Sequence, residues 1–169
     1  MKRNAAYLIP LAVMLLAFAA ATPNLSGTWS LNKDKSDPPN TGRGGSPQGP
    51  FGGAALFTDN PQGQSRITQT DAELVVEGVG GGGRIVYRLD GRETKNVGPR
   101  GEMISTTRWR KDSLVTRIRQ SVMTPRGRTM VEFTETRRLG PNGQTLLLEV
   151  SVRGPRGSRT RKFVFDRVN

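Results

Sequence analysis

The chain contains neither cysteine nor histidine. Without cysteine there is no disulfide, no thiol nucleophile, no thiolate metal site and no thiol to carry a lipid. Without histidine there is no Ser-His relay and no imidazole-bound zinc. Acid–base chemistry is left to carboxylates, lysines and two tyrosines. Acids are also the minority charge, 14 against 26 Lys and Arg. Glu132 and Glu135 lie three apart, so on one strand they face opposite sides. No two acids are forced together as glycoside hydrolysis needs. The reading is a non-enzymatic protein with no metal and no cofactor.

Sustained helical periodicity is also missing beyond the first twenty residues. That opening stretch reads as a signal peptide at residues 1–21. Lys2 and Arg3 form a basic start, Leu8 to Ala20 an apolar run, and Ala19-Ala20-Ala21 a small-residue cleavage site. The run is too short for a comfortable membrane span of ~20 residues, and Pro10 interrupts it. The expectation is export to the periplasm or the extracellular space, with no transmembrane segment after cleavage. Residues 22–169 then form a single domain with one core. Removing Lys2 and Arg3 lowers the formal charge from +12 to +10.

From Lys33 to Gln64 glycine and proline dominate, and Phe51, Leu56 and Phe57 are the only sizeable apolar groups. Such a segment buries too little to repay its ordering entropy and reads as a mobile loop, either a lid or a disordered insertion. Gly78 to Gly83 matches the dinucleotide pattern G-x-G-x-x-G. It leads into the strand-like Arg84-Ile85-Val86-Tyr87 and not into a helix, so it reads as a hairpin tip.

Short runs rich in Val, Thr, Ile and Phe follow one another between turn signals about every ten residues. They cover 27–32, 66–70, 73–77, 84–89, 102–110, 113–122, 128–139, 144–153 and 159–167. Asp90-Gly91 and Asn142-Gly143 suit tight hairpins, and Pro-Arg-Gly recurs at 99–101, 125–127 and 155–157. The pattern predicts an all-β, antiparallel up-and-down barrel of about eight strands or slightly more; a two-sheet sandwich is the alternative.

One hairpin can be registered. Turning about Lys111-Asp112 sets Trp109 opposite Leu114, Thr107 opposite Thr116, Ser105 opposite Ile118 and Met103 opposite Gln120. Side chains alternate, so those residues share the inward face, and Arg108, Arg110, Arg117 and Arg119 share the outward one. Met103, Ser105, Thr107, Trp109, Thr116, Ile118 and Gln120 are candidate walls of a partly polar cavity. The four arginines are a candidate anion-binding face. Trp109 faces away from its flanking arginines, which argues against base stacking and a specific nucleic-acid role.

The segment Leu25-Ser26-Gly27-Thr28-Trp29-Ser30-Leu31-Asn32, with Lys35-Ser36-Asp37 after it, resembles the opening of small exported bacterial lipocalin-like proteins. Its Gly-x-Trp is similar, more distantly, to the first-strand motif of lipocalins and avidins. The resemblance implies an antiparallel barrel whose base is closed by Gly27 and Trp29 beneath an arginine of the last strand, Arg167 or else Arg161. The Thr-Asp-Tyr signature of lipocalins and a biotin-binding set are both absent. The leading expectation is an envelope protein that binds a small, partly apolar ligand. The alternative is adhesion to an anionic envelope polymer or lipid head groups through the arginine face. Oligomeric state is not legible.

Overall fold

The computed structural model describes residues 22–38, 63–81, 83–98, 101–124, 127–154 and 157–168. The expected signal peptide, most of the Gly/Pro-rich segment and the centres of the Pro-Arg-Gly turns lie outside the described residues. Ten strands form one antiparallel sheet that curls into a nearly closed barrel. The first five are β1 (Gly27–Leu31), β2 (Gln64–Gln69), β3 (Glu73–Gly78), β4 (Arg84–Arg88) and β5 (Asp90–Gly98). The longer ones follow: β6 (Gly101–Arg110), β7 (Ser113–Thr124), β8 (Gly127–Leu139), β9 (Thr145–Gly154) and β10 (Gly157–Val168). Around the barrel the order is β4-β3-β2-β1-β10-β9-β8-β7-β6-β5.

The alternation that predicts strands also decides which face is buried. On β9, Leu146, Leu148 and Val150 point inward while Leu147 and Glu149 do not. Phe163 and Phe165 of β10 and Phe133 of β8 meet them from the neighbouring strands. Each such side chain contributes about 1.5–3 kcal/mol on full burial. Leu25, Trp29, Ile67, Leu74, Val76 and Tyr87 extend this single core to the other wall.

The segment expected to loop from Lys33 begins as ordered chain. The Ser36 hydroxyl accepts from Val164 N at 2.9 Å, and Asp37 N donates to the Lys162 carbonyl at 2.9 Å. Lys162 N in turn donates to the Asp37 carboxylate at 2.7 Å. The Lys35-Ser36-Asp37 motif thus ties the chain leaving β1 to the flank of β10.

Two sequence readings need correction. Residues 90–98 form a strand that the alternation did not signal, because Asp90 to Gly98 carries one large apolar residue, Val97, which is 77% exposed. Asp90-Gly91, read as a tight hairpin turn, instead opens β5, where the register slips between Asp90 and Glu93. No backbone ladder joins β4 to β5 among the described residues; these two edges form the seam. Side chains bridge it. Asn96 Oδ1 accepts from Val86 N at 2.9 Å, and Asn96 Nδ2 donates to the Val86 carbonyl at 2.9 Å. Its carboxamide supplies the donor and acceptor that a paired strand supplies elsewhere. Thr94 Oγ1 accepts from Arg88 N at 3.1 Å beside it.

Candidate functional site

The β6–β7 hairpin pairs Trp109 with Leu114, Thr107 with Thr116, Ser105 with Ile118 and Met103 with Gln120, the register read from the sequence. Met103, Ser105, Thr107, Thr116, Ile118 and Gln120 are buried on the inner wall. Trp109 is half-buried against the core. Arg108, Arg110, Arg117 and Arg119 are exposed on the outside.

The inner wall is drier than its composition suggests. The Thr107 and Thr116 hydroxyls lie 3.0 Å apart and bond to each other. A hydroxyl pair satisfied in this way needs no water-filled space beside it. The Ser105 hydroxyl on this wall and the Ser65 hydroxyl on β2 are buried without a partner among the described residues.

Deeper in the barrel sits a charged cluster that sequence reasoning missed. Glu135 and Arg137 are two residues apart on β8, so both point inward, and both are 0% exposed. Arg137 Nη2 donates to Glu135 Oε2 at 2.7 Å. The Tyr87 hydroxyl donates to the same carboxylate oxygen at 3.5 Å and accepts from Arg137 Nη2 at 3.5 Å. The guanidinium lies 5.0 Å from the centroid of the Tyr87 ring. Burial, and after it the Glu135 carboxylate, pushes the Tyr87 phenol well above its ordinary value, with Arg137 opposing. Burial by itself would lower the Arg137 guanidinium, but Glu135 and then Tyr87 hold it above its usual range. The signal was present in the sequence: Glu135 and Arg137 continue the inward row of Val131 and Phe133.

The base of the barrel accounts for Gly-x-Trp. Trp29 is fully buried, and its indole Nε1 donates to the Leu25 carbonyl at 3.0 Å. The Arg167 guanidinium lies over the ring, 4.3 Å from its centroid. Arg167 also donates to the Ser26 carbonyl at 2.8 Å and to the Gly143 carbonyl at 3.1 Å. Gly27 has φ +146°, and a Cβ there would fall on that guanidinium. Between the two arginines offered for this place, the fold uses Arg167. Arg161 lies over Phe163 and donates to the Pro38 carbonyl.

On the outside, β5 to β10 enclose a half-open groove of about 620 Å³. Arg117, Arg119 and Arg153 line it together with Glu93 and Glu132. Thr106, Thr134, Ser151 and Ser158 supply hydroxyls. Arg119 is occupied by Glu93 at 2.6 Å. Arg117 and Arg153 have no acid within ion-pair distance among the described residues. Outside the groove, Arg108 folds over Gly91, whose missing side chain leaves it room. No protein-family model matches the sequence, and no curated protein matches it. The architecture, an all-β and nearly closed antiparallel barrel, is compatible with a lipocalin-like fold.

Proposed function

We propose that this is an exported, non-enzymatic protein of the lipocalin-like type that holds anionic envelope polymers against its outer arginine face. The observation that carries the reading is uncompensated charge. Arg108, Arg110, Arg117, Arg138 and Arg153 are exposed on outward positions of β6 to β9, with no acid within ion-pair distance among the described residues. The arginines outnumber the outward Glu132 and Glu149 on these strands. A net positive face raises the local concentration of a polyanion, and arginine forks match its carboxylates or phosphates two bonds at a time. Retention on an immobilised polyanion should fall steeply as salt rises. Replacing Arg108, Arg110, Arg117 and Arg119 together by glutamine should flatten that dependence, because fewer counterions are released. Equal retention of both proteins at every salt concentration would overturn the reading.

A small ligand inside the barrel is the second reading, supported by the buried Ser105 and Ser65 hydroxyls that have no partner among the described residues. Native mass spectrometry of protein purified from its own host tests it. A bound organic mass, lost in a Ser105→Leu variant that still folds, would favour the interior over the outer face.

A further inference from the structure

We infer that the outer groove is a site for an acidic sugar, a hydroxyl-bearing ring with a carboxylate, and that Arg117 holds the carboxylate. The inference rests on the polyanion reading and narrows it. A diffuse arginine face needs no concavity, yet this one encloses about 620 Å³, within the ~300–1,000 Å³ usual for small-molecule sites.

The register sets out its chemistry row by row. One outward row runs Glu93, Thr106, Arg117, Thr134, Ser151 across β5 to β9. Neighbouring strands are ~4.8 Å apart, so Arg117 stands one strand from a hydroxyl on either side. The next row places Ile104, Arg119 and Glu132 in line, and Arg153 faces Ser158 beyond them.

The two arginines at the centre differ in availability. Arg119 is held by Glu93 at 2.6 Å, whereas Arg117, between two threonines, has no acidic partner among the described residues. Of the two central arginines Arg117 is therefore the available anion receptor, and its fork suits a planar carboxylate. Arg153, at the groove's far side, is a second cation without an acidic partner among the described residues.

The acids decide the ligand class. A phosphate polymer would meet Glu132 and Glu93 as like charges and would offer few donors to either. A sugar acid carries one charge per ring and several hydroxyl donors, which the two glutamates and the Ser and Thr oxygens can accept. Nucleic acid is disfavoured further. Among the described residues Phe133 is the only aromatic side chain lining the groove, and it is buried on the inner wall, so none of them presents a ring for a base to stack on.

The test is calorimetric titration of the full chain with a galacturonate oligomer, monomeric glucuronate, a neutral glucose oligomer and an oligodeoxythymidylate of matched charge. Wild type should bind the galacturonate oligomer and ignore the neutral one. Arg117→Gln should weaken binding about tenfold or more, and Arg117→Lys should fall between, because it keeps the charge and loses the fork. The Arg108→Gln/Arg110→Gln pair, on the same face but outside the groove, should lose markedly less affinity than Arg117→Gln, because it removes general attraction and no groove contact. Thermal midpoints equal to wild type keep folding apart from binding. Glucuronate competing on equal terms supports the site and assigns it to free sugar acids. Equal losses in the two sets of variants overturn the inference and leave diffuse adhesion standing. Tighter binding of the oligodeoxythymidylate, or equal binding of the neutral oligomer, also overturns it. If wild type binds no polyanion at all, the polyanion reading falls with it.

Discussion

Breaking the Glu135–Arg137 pair should cost far more than removing it whole. Both side chains are fully buried and bonded at 2.7 Å, so either one alone is an uncompensated charge in the core. Arg137→Met or Glu135→Leu should each destabilise by about 3–5 kcal/mol. Against a domain stability of about 5–15 kcal/mol that is a large share. The double variant removes both charges and fills similar volume with apolar atoms. It should lie far above the sum of the singles, near wild type or more stable by about 1–4 kcal/mol. One debt remains, since the Tyr87 hydroxyl loses both partners and an unsatisfied buried hydroxyl costs about 1–3 kcal/mol. Adding Tyr87→Phe should recover it. Urea unfolding followed by tryptophan fluorescence measures the series, Trp29 being fully buried and so reporting on the core. Single-variant losses that add in the double to within about 0.5 kcal/mol would refute the coupling, and with it the claim that the pair acts as one buried unit.

Four further outcomes are expected. Trp29→Ala should destabilise by about 3–5 kcal/mol. Gly27→Ala should destabilise too, by pushing Arg167 off the indole, and a midpoint unchanged in both would detach the brace from the fold. In a Tyr7→Phe protein, where Tyr87 is the sole tyrosine, phenolate absorbance should stay absent until the barrel unfolds. Its folded-state pKa is raised, so this contribution is complete below about pH 10, where the unfolded chain ionises, and declines as pH climbs above it. Phenolate appearing at pH 10 with native circular dichroism would contradict this. At the seam, Asn96→Asp keeps an acceptor for Val86 N but has no donor for the Val86 carbonyl. Hydrogen exchange at Val86 should quicken while the centre of β7–β8 stays protected, and an unchanged rate would show that the carboxamide does not hold the edges together.

What could be read in advance follows from how local each signal is. The β6–β7 register was legible because alternation runs unbroken on both sides of Lys111-Asp112, and a slip of one residue would have buried four arginines. β5 was not legible because it borders the seam: polar Thr94 and Asn96 bond across to the backbone of β4 there, and alternation has nothing apolar to mark. Glu135 and Arg137 were hidden for a different reason. A charged residue reads as surface until its partner is seen, and Tyr87 is 48 residues from Glu135 in sequence. The outer arginines were visible as a face. Their groove was not, since its walls are side chains from six strands, β5 to β10, that only the folded register brings together.

The seam also bears on how the chain assembles. In order around the barrel the strands run β5 to β10 and then β1 to β4, so the sequence enters the sheet at its middle. Almost every ladder joins strands adjacent in the chain. The exception is β1 with β10, where Thr28 meets Val168 across nearly the whole length of the protein. That one pairing carries the largest loop-closure cost, and mutations along it should slow folding more than equal destabilisation elsewhere. Because Thr28 and Val168 pair at the adjoining ends of β1 and β10, a linker from Val168 to Pro23, which keeps Leu25 and Ser26, with a cut at Leu89-Asp90 would yield a chain whose strands follow one another in spatial order. Such a circular permutant would make the β1–β10 pairing local and leave the long closure to the β4–β5 seam, which side chains and no backbone ladder bridge among the described residues.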